Sequence, residues 1–153
     1  MSDLAVARAV HVVAVVLWIG GVGMVTMVLM PSIRRARPIG DWFPLFHMIE
    51  ARFAPLARWM IAIAGASGVY MLWRLDAWGW FQWPSFWWLH AMVLIWLLFT
   101  LMLFVIEPLL LHRFLARQAA LAPEATYRRM EWLHRVLLVL SLITVAGAVV
   151  GMG

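Results

Sequence analysis

Four long apolar runs separated by arginine clusters constrain this chain more than any other feature. A bilayer core takes roughly 20 apolar residues per helix. Four segments meet that length: about 9–30, stopping at Pro31; about 56–72, with a helical start as early as Phe43; about 86–111; and about 133–152. Hydrophobic residues make up 66% of the 153 residues and charged residues 12%, against about 45–50% apolar in soluble domains. The pattern predicts an all-α integral membrane four-helix bundle, one domain over 1–153, embedded in the lipid bilayer of a bacterial inner (plasma) membrane. The first run is too long and continuous for a signal-peptide core. It also lacks a basic flank and a small-x-small cleavage site, so it is expected to be retained.

All twelve basic residues are arginines. Arg34, Arg35, Arg37 and Arg52 fall in the first connection, and Arg113, Arg117, Arg128 and Arg129 in the third. The other side has only Arg8 and Arg74. The positive-inside rule then puts connections one and three in the cytoplasm and both termini in the periplasm. The middle connection, with Trp78, Trp80, Trp83, Trp87 and Trp88, reads as an aromatic belt at the headgroups. Arginines that flank spans form no soluble basic face, so no nucleic-acid partner is expected. The absence of cysteine excludes disulfides, thiolate metal sites and covalently attached haem. No GxSxG, Walker, HExxH or dinucleotide fingerprint is present, so hydrolase and nucleotide chemistry have no support.

Two histidines stand inside apolar runs. His11 lies about two residues into the first helix and His90 about four into the third, depths that differ by about 3 Å at 1.5 Å per residue. An ionisable side chain in that setting is costly and needs a partner. Two imidazoles at one level on different helices suit the axial positions of a b-type haem. Positions 11, 15, 18 and 22 share one face (His, Val, Trp18, Val), and positions 90, 94, 97, 101 and 104 another (His, Leu, Leu, Leu, Phe). Both offer walls for a porphyrin. Arg8, one turn outward from His11, is placed to pair with a propionate, with Arg74 as second candidate. Copper is the alternative cofactor, through His11, His90 and thioethers such as Met71 and Met92.

Among the other polar residues, His134 follows Glu131 by one turn, which reads as a surface acid–histidine pair. His47 and His112 have no assigned role. Glu107, beside Pro108, is expected to pair with Arg58 or Arg135, with a proton relay as the alternative. The small residues Gly20, Gly21, Gly23, Gly65, Gly68, Gly147 and Gly151 read as helix-packing notches or as room for a flat macrocycle.

The stretch Ala9-Val-His11-Val-Val-Ala-Val-Val-Leu-Trp18-Ile-Gly20-Gly21 resembles the opening helix of CopD-like membrane domains and of HemJ-type protoporphyrinogen oxidases. Met48-Ile-Glu50-Ala-Arg52-Phe with Gly68 resembles the second HemJ helix, and Trp88-Leu89-His90 the start of its third. The resemblance implies haem ligation at His11 and His90. It stops at Met92, where HemJ has a lysine, and at Met130-Glu131-Trp132, where HemJ has Asn-Glu-x-Pro. Three functions are compatible with these residues. The first is a b-haem protein in electron transfer or porphyrinogen-type oxidoreduction, with a membrane redox partner such as a quinone or porphyrinogen. The second is a CopD-like copper-binding or transport module. The third is a non-catalytic small subunit of a larger membrane complex.

Overall fold

The computed structural model describes residues 3–151, apart from the side chains of residues 109–116. Four helical rods run up and down. The first joins α1 (Asp3–Met24), a π-helical stretch (Val25–Leu29) and α2 (Met30–Ala36). The second is α3 (Trp42–Arg74). The third joins α4 (Trp87–Leu101), a π-helical stretch (Met102–Leu111) and α5 (His112–Leu121). The fourth is α6 (Pro123–Gly151). Two short 3-10 turns, Ala77–Gln82 and Pro84–Phe86, link α3 to α4.

All four rods are long and apolar enough to cross a membrane. Most of their apolar surface faces outward. Only 28% of the first rod's most apolar window is buried, and 11% of the third's. Water does not tolerate apolar area on that scale, whereas lipid does. The chain is therefore a multi-pass membrane protein.

The rods are longer than expected, and proline explains much of the difference. The first does not stop at Pro31, and α6 starts at Pro123 rather than near 133. A proline inside a helix has no N–H, and its ring presses on the carbonyl four residues back. Here the turn before Pro31 and the turns around Pro108 widen to π geometry, which lets the rod continue. Several arginines assigned to connections consequently sit on helices: Arg34 and Arg35 on α2, Arg52 on α3, Arg128 and Arg129 on α6.

Around the bundle, α1 packs on α3, α3 on α4, α4 on α6 and α6 on α1, which leaves α1 and α4 on a diagonal. The core has three layers. Trp88, Leu89 and Ala148 close the end that holds both termini. Trp18, Ile19, Val22, Ile61, Phe99 and Leu138 fill the middle, where Trp18 meets Phe99 edge-on at 5.0 Å. Met30, Ile33, Trp42, Phe46, Tyr127 and Met130 close the far end, and the Tyr127 hydroxyl donates to the Met30 carbonyl at 3.2 Å.

Glycines set the close approaches. A Cβ at Gly21 would overlap Phe53, at Gly65 Trp96, at Gly147 Trp87 and at Gly151 Trp88. These notches are filled by aromatic rings of neighbouring rods, so they act in packing and leave no slot there for a macrocycle. The expected aromatic belt is correspondingly smaller. Trp88 is buried and Trp80 stacks on Phe86 at 4.8 Å, while Trp78, Trp83 and Trp87 stay exposed.

Candidate functional site: His11 and the far-end cavity

His11 is held in the α1–α3 interface. Its Nδ1 lies 2.9 Å from the Ala64 carbonyl and 3.1 Å from Ser67 Oγ. A carbonyl only accepts, so Nδ1 carries the proton and donates to Ala64 O. Ser67 in turn donates to the Ile63 carbonyl at 2.6 Å. Gly68 lies beside the ring, where a Cβ would stand 3.4 Å from His11 Cε1, in van der Waals contact. The sequence therefore builds a seat of small residues, Ala64, Ser67 and Gly68, for one imidazole in one tautomer. That tautomer leaves Nε2 with a bare lone pair. A metal-binding histidine shows the same arrangement, with the far nitrogen tied to a carbonyl. Val15, Trp18 and Val22 continue the His11 face inward, with Trp18 and Val22 buried.

His90 is placed differently. Its Nδ1 lies 3.2 Å from Phe86 O and its Nε2 3.0 Å from Phe81 O, and its ring meets Phe81 edge-on at 5.4 Å. The side chain is exposed. So is the rest of its face, with Leu94 65%, Leu97 50%, Leu101 51% and Phe104 46% exposed. The buried side of α4 is the opposite one, marked by Trp88 and Phe99. Matching depth did not reveal this, because depth along a helix says nothing about direction around it. His11 and His90 thus stand on diagonal rods, the first partly buried between α1 and α3 and the second on an exposed face of α4. His11 is seated between α1 and α3 through one ring nitrogen, whereas both ring nitrogens of the exposed His90 lie against backbone carbonyls.

The remaining candidates separate in the same way. Arg8 is exposed, one turn from His11. Arg74 is committed elsewhere: it meets Asp3 Oδ2 with Nη2 at 2.7 Å and Nε at 2.8 Å, while Tyr70 donates to the same oxygen at 2.9 Å. This clasp ties the start of α1 to the end of α3.

The second polar cluster lies in the far half, where sequence reasoning put only helix-end charges. His134 does not form a surface pair with Glu131. Glu131 is buried and pairs with Arg34 at 3.6 Å, and His134 Nδ1 donates to the Met130 carbonyl at 2.9 Å. Glu107 pairs with Arg58 at 3.3 Å, as expected. Arg58 Nε also donates to the Leu103 carbonyl at 3.0 Å. In π register that carbonyl would be served by the N–H five residues on, at Pro108, which has none. His47 sits 3.6 Å from Glu50. The side chain of His112 lies outside the described residues.

Beside these groups is a cavity of about 60 Å³. Trp18, Phe46, Phe53, Phe99, Glu107 and His134 are among its walls. Both π-helical stretches reach it, through Val25 and Leu29 on one side and Met102, Leu103 and Glu107 on the other. The widened turns that accommodate the prolines thus line the same space. Among the described residues, no three His, Asp or Glu side chains converge as a metal-binding group.

No family model, curated protein or solved structure matches this chain.

Proposed function

We propose that this chain is a b-type haem protein of a bacterial inner membrane, acting in electron transfer or porphyrinogen-type oxidoreduction, with Nε2 of His11 as an axial ligand. The observation that carries the reading is the fixed tautomer of His11. Its Nδ1 is spent on Ala64 O, so Nε2 presents a lone pair within the membrane half that holds the termini. An ionisable side chain seated inside an apolar span points to function by default. The resemblance of the 9–21 stretch to CopD-like and HemJ-type opening helices points the same way. Bound haem supplies one-electron chemistry at its iron. The protein's part is to hold the imidazole through Ala64, Ser67 and Gly68, and to offer Arg8 at the edge to a propionate. His90 is left out of the ligand set, and Arg74 is left to Asp3. Copper has less support, since among the described residues no three His, Asp or Glu side chains form a metal-binding group.

Both termini are assigned to the periplasmic side. Arg34, Arg35, Arg128 and Arg129 lie on the extensions at the opposite end, which suits a cytoplasmic face.

Haem content of the purified protein tests the reading. Wild type is expected to retain haem, His11→Ala to lose it, and His11→Gly to regain it with added imidazole. His90→Ala should keep it. A haem-free wild type, or a His11→Ala variant with full haem, overturns the proposal.

A further inference from the structure

The outer face of α6 carries a charge that no described residue balances. Arg128, Trp132, Arg135 and Val139 follow one another at helical spacings and share one strip of the helix. Trp132 is 62% exposed and Val139 53%, and both arginines are exposed as well. The strip points away from the bundle, whose side of α6 is marked by Tyr127, Met130, Leu138 and Ser141.

Arg135 stands at the apolar edge of the span. It precedes Gly151, the end of α6, by about 24 Å at 1.5 Å per residue, and a hydrocarbon core is about 30 Å thick. Exposed apolar side chains, Leu133, Val139 and Leu140, lie around it. A guanidinium does not shed its charge in a protein, and a charge in that setting needs an anion. Glu131, one turn back, is buried and meets Arg34 at 3.6 Å. Glu107 meets Arg58 at 3.3 Å, and Glu124 stands 3.7 Å from Arg128. Among the described residues, none makes an ion pair with Arg135.

The surrounding lipid can supply the anion. A phosphodiester presents two oxygens that fit the guanidinium fork. An exposed Trp132 suits the headgroup boundary. Arg128 lies two turns outward, about 10 Å along the axis, and is only partly balanced by Glu124. The strip is therefore net positive. That favours a lipid of net negative charge over one whose own ammonium balances its phosphate. A symmetric contact with a second copy would set these arginines against one another.

We propose that this strip of α6 docks an anionic phospholipid, with its phosphate on Arg135, Arg128 on the outer side and Trp132 beside the headgroup.

Native mass spectrometry of the purified full chain in detergent tests it, with phosphatidylglycerol and phosphatidylethanolamine of the same acyl chains as probes. The first phosphatidylglycerol should bind about tenfold tighter than the first phosphatidylethanolamine. Arg135→Leu should remove that difference and leave phosphatidylethanolamine unchanged. Arg52→Leu makes the same change in net charge at another exposed arginine, and should alter phosphatidylglycerol binding by no more than about twofold. Millimolar inorganic phosphate should not displace the lipid. Equal affinity for the two lipids in wild type overturns the proposal. Equal losses in the two variants also overturn it, because they indicate diffuse attraction without a site. So does displacement by inorganic phosphate, which indicates a free-anion site, or a dimer that excludes phosphatidylglycerol.

Discussion

Replacing Arg58 with methionine removes two contacts at once, and the structure allows them to be weighed separately. Glu107 is 8% exposed and loses its cationic partner, at 3.3 Å. Breaking a fully buried pair costs about 3–5 kcal/mol. The Arg58 side chain is 34% exposed, so screening lowers that contribution to about 1–2 kcal/mol. The Leu103 carbonyl, at 3.0 Å from Nε, is left unsatisfied, at a cost of about 1–3 kcal/mol. Because one side chain makes both contacts, the combined loss is expected near 2–4 kcal/mol rather than their full sum. The two parts respond to different second changes. Glu107→Leu in the Arg58→Met background should recover the ion-pair part alone. Pro108→Ala restores an N–H for the Leu103 carbonyl, so Arg58→Met should cost about 1 kcal/mol less in that background. Reversible unfolding in mixed micelles, followed by far-UV circular dichroism, measures each value. An Arg58→Met cost that is the same with proline and with alanine at position 108 would refute the link between Arg58 and the proline break.

Three further outcomes are expected. Tyr127→Phe removes the hydroxyl that donates to Met30 O and should destabilise by about 0.5–1.5 kcal/mol in the same unfolding assay. Gly147→Val drives a side chain into Trp87 and should destabilise by about 1–3 kcal/mol, whereas Gly20→Val, where a Cβ meets no neighbour, should cost much less in the same assay. An alkaline phosphatase fused after the last residue should be active in the periplasm, and cytoplasmic localisation of that fusion would invert the orientation.

Four apolar runs were legible as four membrane-crossing rods, because length and composition alone satisfy the bilayer. Their ends were not. Pro31 reads as a stop in sequence, yet a π-helical turn absorbs it, and the choice between stopping and widening depends on what the next turn packs against. The Arg58–Glu107 pair is legible in the sequence as one of two pairings open to Glu107, since helix-end charges seek partners. The pairing of Glu131 with Arg34 was missed because the two are distant in sequence and their meeting depends on how α6 lies against α2. His11 was singled out by its apolar surroundings. Its seat on Ala64, Ser67 and Gly68 was half visible, as a small-residue notch without an assigned occupant. The outward turn of His90 was hidden, because α4 is apolar all round (Trp88, Leu89, Leu94 and Leu97 alike) and periodicity cannot separate a lipid face from a core face there. The far-end cavity had no sequence signal beyond Trp18, His134 and Glu107 taken singly.

Whether Nε2 of His11 holds a haem iron is decided by the visible spectrum of purified protein, recorded oxidised and then reduced with dithionite. A Soret band is expected in wild type that sharpens and shifts on reduction, persists in His90→Ala and is absent from folded His11→Ala. A wild type without a Soret band, or one whose spectrum His11→Ala leaves unchanged, would contradict it.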